Sequence, residues 1–228
     1  MQLILGNKNH SSWSMRAGLV ARFFSAANPD EKIEEIVVPL FADGYKERLR
    51  EWGPTGLVPI LIDGDLRIHD SLAIAMYLVE KSPEQTWYPE ETAARALARS
   101  LVCEMHSGFF KIRKWMPVDI RSTHNLRVSA GDEAGLESEI ERVFSIFSAA
   151  LADSGGPFLF GAYGLADIFY APVVTRFQTY GVSAPADRAP AIEEYMANVL
   201  NQADVRAWCE EARTESYSIA DSILFPTE

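Results

Sequence analysis

The stretch Gly53–Leu78, GPTGLVPILIDGDLRIHDSLAIAMYL, decides the fold. It holds two short apolar runs, residues 57–62 and 66–69, on either side of Asp63-Gly64-Asp65. An Asp-Gly pair between apolar runs signals a β-hairpin, because the tightest turns that match strand twist need residues tolerant of positive φ. Pro59 stands at the entry to the first run, where a missing N–H does least harm to a ladder. Beyond the second run the period changes. Leu72, Ala75, Met76 and Val79 recur at helical spacing, and Asp70 and Ser71 are residue types favoured at a helix start. The stretch reads strand, turn, strand, helix.

Upstream, residues 2–5 (QLIL) form a short buried strand, and 13–26 form a helix with Leu19, Val20, Phe23 and Phe24 on one face. Asn28-Pro29-Asp30 ends it. Residues 32–38 (KIEEIVV) alternate and finish β-branched, which predicts a second strand, and a polar helix follows over 43–52. The order is βαβαββα. A hairpin closed by a helix does not belong to a doubly wound nucleotide-binding sheet, and no glycine-rich phosphate loop stands at any strand-to-helix turn. Residues 82–90 (SPEQTWYPE), with two prolines and no period, read as a linker. Two long helices are expected next. Residues 91–116 carry Leu97, Leu101, Met105, Gly108, Ile112 and Trp115 on one stripe. Residues 136–151 carry Leu136, Ile140, Val143, Phe144, Phe147 and Leu151, with GDEAG (131–135) as a loop before them. Shorter helices finish the chain. The expected organisation is an α/β domain over 1–81, a linker over 82–90 and an all-α domain over 91–228.

Composition narrows the partners. The 228 residues carry a formal charge of -11 and a pI near 4.9, which argues against nucleic acid and against an anionic membrane surface. No apolar run approaches the ~18 residues of a spanning helix, and the first residues lack the basic start of a secretory signal. Cys103 and Cys209 lie far apart within helical patterns, so a reducing, cytoplasmic setting is expected. The sequon Asn9-His10-Ser11 is read as chance. No metal site is assigned.

Residues 53–78 closely resemble the N-terminal domain of glutathione transferases. The resemblance rests on Val58-Pro59 before a strand, Asp70-Ser71 at a helix start, and the helix SLAIAMYL. It extends through the linker to FLFGAYGLADIFYAPV (158–173), which is similar to the buried sixth helix of that family. It implies a thioredoxin-like N-terminal domain, an all-helical C-terminal domain, glutathione as cosubstrate and a homodimer. Val58 would pair its backbone with the cysteinyl unit of glutathione like an added strand, after a cis Val58-Pro59 bond. Ser71 would donate to the γ-glutamyl carboxylate at a helix N-terminus, and Asp70 would help hold the ammonium group.

The loop NKNHSSWSMR (7–16) is placed to supply the donor that stabilises the glutathione thiolate. It resembles the SSCSWR of zeta-class enzymes, with Trp13 in the cysteine position. Counting five residues back from Arg16, as the resemblance to the family's serine and cysteine classes implies, gives Ser11; Ser12 is the alternative, and Ser14 reads as a local cap. His10 reads as a loop residue, since neighbours in an extended turn point apart. Arg16 is expected to pack along the helix and pair with an acid. Three departures stand out. Leu57 occupies the place where the family often has Lys or Gln for the glycyl carboxylate, which leaves Lys8 or Lys46 for that task. Gly164 replaces the usual Ser or Thr cap before Asp167. Trp13 weakens the likeness to the isomerases. The second substrate, a small hydrophobic electrophile, is expected near His106, Phe109, Phe110, Arg113 and Trp115, where KIRKW (111–115) is a local basic spot. The main reading is a serine-type transferase. The rivals are a maleylacetoacetate-isomerase-like enzyme and a non-catalytic binding protein of the same fold.

Overall fold

The computed structural model describes residues 1–225. By compactness the chain forms two units: Met1–Thr86 together with the segment from Arg206 onward, and Trp87–Val205.

The first unit is built on a four-stranded sheet, β1 (Gln2–Leu5), β2 (Glu34–Val37), β3 (Ile60–Asp63) and β4 (Leu66–Ile68), in the order β2-β1-β3-β4. Only β1 and β2 are parallel, joined by the crossover helix α1 (Ser12–Ala27). The hairpin β3–β4 turns at Gly64, which has φ +57°. Helix α2 (Tyr45–Trp52) precedes it and α3 (Ser71–Lys81) follows. Alternation sorts the strand side chains onto two faces. Ile4, Ile60 and Ile62 pack with Leu49, Tyr45 and Trp52 of α2. Leu3, Leu5 and Leu61 point the other way, and α1 and α3 pack on each other and on the sheet there.

The expected face of α3 holds at Ala75 and is otherwise off. Ser71, Ile74, Ala75 and Leu78 are buried, whereas Met76 is 57% exposed and Leu72 and Val79 are half-buried. The helix is apolar all round, so periodicity alone could not choose the side facing the sheet.

In the second unit the expected helix 91–116 is two helices, α4 (Thr92–Ser107) and α5 (Phe110–Trp115). Gly108 ends the first, and Phe109 is left-handed at φ +60°. The apolar stripe runs straight through this break and hides it. Its first half is partly misassigned: Met105 is buried as expected, but Ala98 and Val102 are buried too, while Leu97 is 57% exposed and Leu101 half-buried. Residues 117–132 are not helical. Helix α6 (Glu133–Ser154) starts inside the expected GDEAG loop, with Leu136, Val143, Phe144, Phe147 and Leu151 buried as expected. Helix α7 (Leu165–Tyr180) is the centre of this unit, with every residue but Gln178 buried. Helices α4 and α8 (Ala189–Asn201) pack against it. Phe147 makes edge contacts with Tyr170 and Tyr195, at centroid distances of 5.4 and 4.8 Å.

The start of α7 explains Gly164. The Leu165 N–H donates to the Trp87 carbonyl at 3.0 Å, drawing the chain so close that a Cβ on Gly164 would lie 2.9 Å from that oxygen. A Ser or Thr cap has no room. Asp167 keeps its own half of a capping box, accepting the Gly164 N–H at 3.0 Å, and also accepts the Leu159 N–H at 3.1 Å.

The end of the chain groups by compactness with the first unit. Helix α9 (Ala203–Thr214) carries Trp208 to α1 in the first unit, where Gly18 makes room for it: a Cβ there would lie 2.2 Å from the indole. Helix α10 (Asp221–Leu224) follows.

Candidate functional site

Strand register brings four segments to one end of the sheet. Leu5 pairs with Val37, Ile4 with Ile60, and Leu61 with Ile68. Continued by one or two residues, these ladders bring the β1–α1 loop, the segment after β2, Val58-Pro59 before β3, and Asp70-Ser71 after β4 out together.

Ser11 is the N-cap of α1. Its Oγ accepts the Ser14 N–H at 3.1 Å, and it lies 2.9 Å from the Ser14 Oγ. The cap is therefore Ser11, and the expectation that Ser14 plays that part is corrected. The Ser14 Oγ instead accepts the Gly6 N–H at 2.8 Å and ties β1 to the helix. The two hydroxyls partner each other, so Ser11 is not paired with His10, whose Nε2 lies 3.0 Å from Asn9 Nδ2. Ser12 is the first residue of α1 and is buried. Arg16 is fully buried with its guanidinium 4.7 Å from the centre of the Trp13 ring.

The loop into α1 is held from both sides. The Asn7 carbonyl accepts the Ser11 N–H at 2.9 Å, and Asn7 Oδ1 accepts the Leu40 N–H at 2.8 Å. The Glu215 carboxylate accepts the N–H groups of Lys8 at 2.9 Å and Asn9 at 3.3 Å, and the Trp208 indole donates to the Lys8 carbonyl at 3.1 Å. A cavity of about 410 Å³ opens beside the loop, lined by Asn7, Lys8, Val37, Pro39, Glu215 and Tyr217 among others.

Lys8 does not stand ready for a carboxylate ligand. Its ammonium binds Glu35 and Glu211, and Arg22 binds Glu35 through two nitrogens at 2.8 and 3.0 Å and Glu211 at 2.7 Å. Burial pushes the Glu35 carboxyl up, but the hydrogen bonds and charges of Arg22 and Lys8 outweigh it and hold the group below its usual range. Of the two lysines proposed from sequence, Lys46 keeps an exposed ammonium, 5.9 Å from the Tyr45 ring. Leu57 is 65% exposed.

At the hairpin, the Val58-Pro59 bond is cis; Val58 is half-buried and packs towards the α2 face. Asp70 caps α3, its Oδ1 accepting the N–H groups of Leu72 at 2.9 Å and Ala73 at 3.4 Å. Ser71, in the first turn of α3, is 0% exposed, and its hydroxyl has no hydrogen-bond partner. A buried donor at a helix N-terminus is costly unless an acceptor arrives.

In the second unit the basic spot at 111–115 is partly compensated. Asp132 binds Lys111, Lys114 at 3.1 Å and the Trp115 indole at 2.8 Å, and Arg113 donates to the carbonyls of Gly108, Met105 and His106. Asp132 pairs with two of the three cations and the third, Arg113, donates to carbonyls, so positive charge remains there. Phe109 is buried and Phe110 is 70% exposed. Among the described residues, no group of three or more His, Cys, Asp or Glu could hold a metal ion, and no helix is long and apolar enough to cross a membrane.

Sequence reading missed the Ser11–Ser14–Gly6 contact and the Glu215 anchor. The first needed the position of one strand N–H. The second joins residues more than 200 positions apart.

Comparison with known proteins agrees with this arrangement. The model of the glutathione S-transferase N-terminal domain matches residues 24–86, and that of the C-terminal domain matches residues 92–198. A stringent starvation protein A homolog of Histophilus somni is 26% identical over 161 residues, 71% of each chain. Glutathione S-transferase 1 of Dianthus caryophyllus is 34% identical over 131 residues, 53% of this chain and only 54% of that one. Among solved structures, the holo form of maleyl pyruvate isomerase, a bacterial zeta-class glutathione S-transferase, superposes with a TM-score of 0.70 at 22% identity, covering 95% of this chain and all of that one. At that identity the likeness speaks for the fold alone. The two domain matches together span well over half of the sequence, and the chain belongs to the glutathione S-transferase family.

Proposed function

We propose that the protein is a glutathione transferase of the serine type. Val58 pairs its backbone with the cysteinyl unit of glutathione beside Pro59. Ser71 donates to the γ-glutamyl carboxylate at the start of α3, and Asp70 lies beside the ammonium group. The Ser11 hydroxyl faces the sulfur, with Ser12 next to it as the second candidate. The thiol loses its proton to solvent, Ser11 donates to the resulting thiolate, and the sulfur forms a bond to an electrophilic carbon of a small hydrophobic substrate, either displacing a leaving group that departs with its bonding pair or adding across a polarised double bond whose π pair takes a proton from solvent. Serine forms no covalent bond itself. Lys46 is the better of the two lysines for the glycyl carboxylate, because Lys8 is already neutralised.

The observation that carries this reading is the Ser71 hydroxyl, fully buried and without a partner at a helix N-terminus. It leads to an unusual pair of expectations for Ser71→Ala. Removing an unsatisfied hydroxyl should raise the melting temperature of the free protein. A hydrogen bond to a charged group contributes ~1.5–3 kcal/mol, so glutathione affinity should fall by about 10- to 150-fold. Calorimetric titration and thermal melting read both. Unchanged affinity would count against the reading.

An isomerase that uses glutathione as a cofactor is the second reading, motivated by the zeta-like SSWS sequence and the name of the zeta-class neighbour. Turnover of a cis-olefinic diacid without consumption of glutathione would select it. A non-catalytic role, motivated by Leu57, requires that no electrophile be conjugated. The protein is also proposed to be a homodimer, since Met76 and Leu66 are exposed on the first unit and Leu97 on the second. Light scattering should give a mass near twice the 25.4 kDa of one chain; the mass of a single chain would refute it.

A further inference from the structure

Counting the hydroxyl protons beside the proposed sulfur site gives Ser14 a task. Ser11 and Ser14 each carry one O–H, and a single O···O contact of 2.9 Å joins them. The Ser11 Oγ already accepts the Ser14 N–H, and the Ser14 Oγ already accepts the Gly6 N–H. One contact uses one proton, so the other proton is surplus. Ser14 is 0% exposed, and its hydroxyl meets the Gly6 N–H and the Ser11 Oγ, a contact in which either oxygen can be the donor. Leaving the surplus on Ser14 would bury an unsatisfied donor, which is costly. Leaving it on Ser11, 6% exposed at the helix start, lets it meet an acceptor from outside.

The geometry points to Ser14 as a positioning residue that donates to Ser11 and thereby turns the Ser11 hydroxyl proton outward, toward the sulfur. This rests on the reading of Ser11 as the thiolate's donor. The Gly6 N–H supports the chain from behind: Gly6 N–H to Ser14, Ser14 O–H to Ser11, Ser11 O–H to sulfur. Each bond polarises the next, so the last donor is stronger than an isolated serine. No proton is transferred; the thiol proton leaves to solvent.

The test is the titration of bound glutathione, followed by the ultraviolet absorbance of its thiolate, in four variants. Ser11→Ala should shift the thiol pKa upward. Ser14→Cys keeps the side-chain size but replaces a strong donor by a weak one, and should also shift it upward, lowering kcat/KM at neutral pH by about three- to tenfold. Ser14→Ala should do the same with some loss of melting temperature, because the Gly6 N–H loses its acceptor. Ser14→Thr keeps the hydroxyl and adds a methyl in a full site, so it should lower the melting temperature while the thiol titrates as in wild type. A purely structural role predicts the reverse order, with Thr harmful to the thiol pKa and Cys harmless, and that result would overturn the relay. So would a shift in Ser11→Ala with none in Ser14→Ala and Ser14→Cys. If Ser11→Ala itself leaves the thiol unmoved, the functional reading fails first and takes the relay with it.

Discussion

Ser11→Ala is expected to lower kcat/KM for conjugation by about 10- to 100-fold at neutral pH, because one hydrogen bond to a charged sulfur is worth ~1.5–3 kcal/mol and each pKa unit ~1.36. A free thiol titrates near ~8.5. Stabilising the thiolate lowers that value, and losing the donor restores it. The defect should therefore be largest near pH 6–7 and shrink as the pH rises past the thiol pKa of the variant, where the sulfur ionises unaided. A pH profile of kcat/KM separates this from a loss of fold. Ser11 is also the N-cap of α1, which receives the Ser14 N–H at 3.1 Å, so the variant should lose ~1 kcal/mol of stability as well. A stability loss that size reads as a lower melting temperature and does not depend on substrate. A flat rate deficit across the pH range would mean that Ser11 acts only as a cap.

Asp167→Ala should strongly destabilise the second unit. The carboxylate accepts two N–H groups, from Leu159 at 3.1 Å and Gly164 at 3.0 Å, in a site 1% exposed. Alanine leaves both donors buried and unpaired at ~1–3 kcal/mol each, so ~2–5 kcal/mol should be lost. Denaturant melts measure it, and a loss under ~1 kcal/mol would show that the segment before α7 relaxes to find other acceptors. Burial raises the Asp167 carboxyl to about 6, against the backbone bonds that lower it. The sign follows from linkage. Between its ordinary value near ~3.9 and about 6, the folded chain holds a proton that the unfolded chain has released, so the contribution of this group to stability falls as pH rises through that window. Asp167→Asn, which cannot ionise, should lack that slope.

The parts of the fold that were legible in sequence were those set by local chemistry. The hairpin at 60–68 is announced by Asp63-Gly64, and the helix after it by Asp70-Ser71; both form where expected. Helix faces were less legible where apolar residues lie on both sides. Ile74 and Leu78 compete with Leu72 and Met76 in α3, and Ala98 and Val102 with Leu97 in α4, and the winning side is set by the neighbour, not by the period. The break at Gly108 was hidden because its flanking residues stay in phase across it. Of the candidate site, the segments were legible and their partners were not. Lys8 looked like a free cation until Glu35 and Glu211 closed on it. The absent hydroxyl at Gly164 looked like a loss until the Trp87 carbonyl occupied its space.

The most direct test of the central claim is the thiolate titration of glutathione bound to the wild-type protein, with Ser11→Ala and Ser12→Ala alongside. The account predicts a thiol pKa about one to two units below the free value in wild type and in Ser12→Ala, and a return toward ~8.5 in Ser11→Ala. A bound thiol that titrates as it does in water, or one that Ser12→Ala alone restores to the free value, would contradict it.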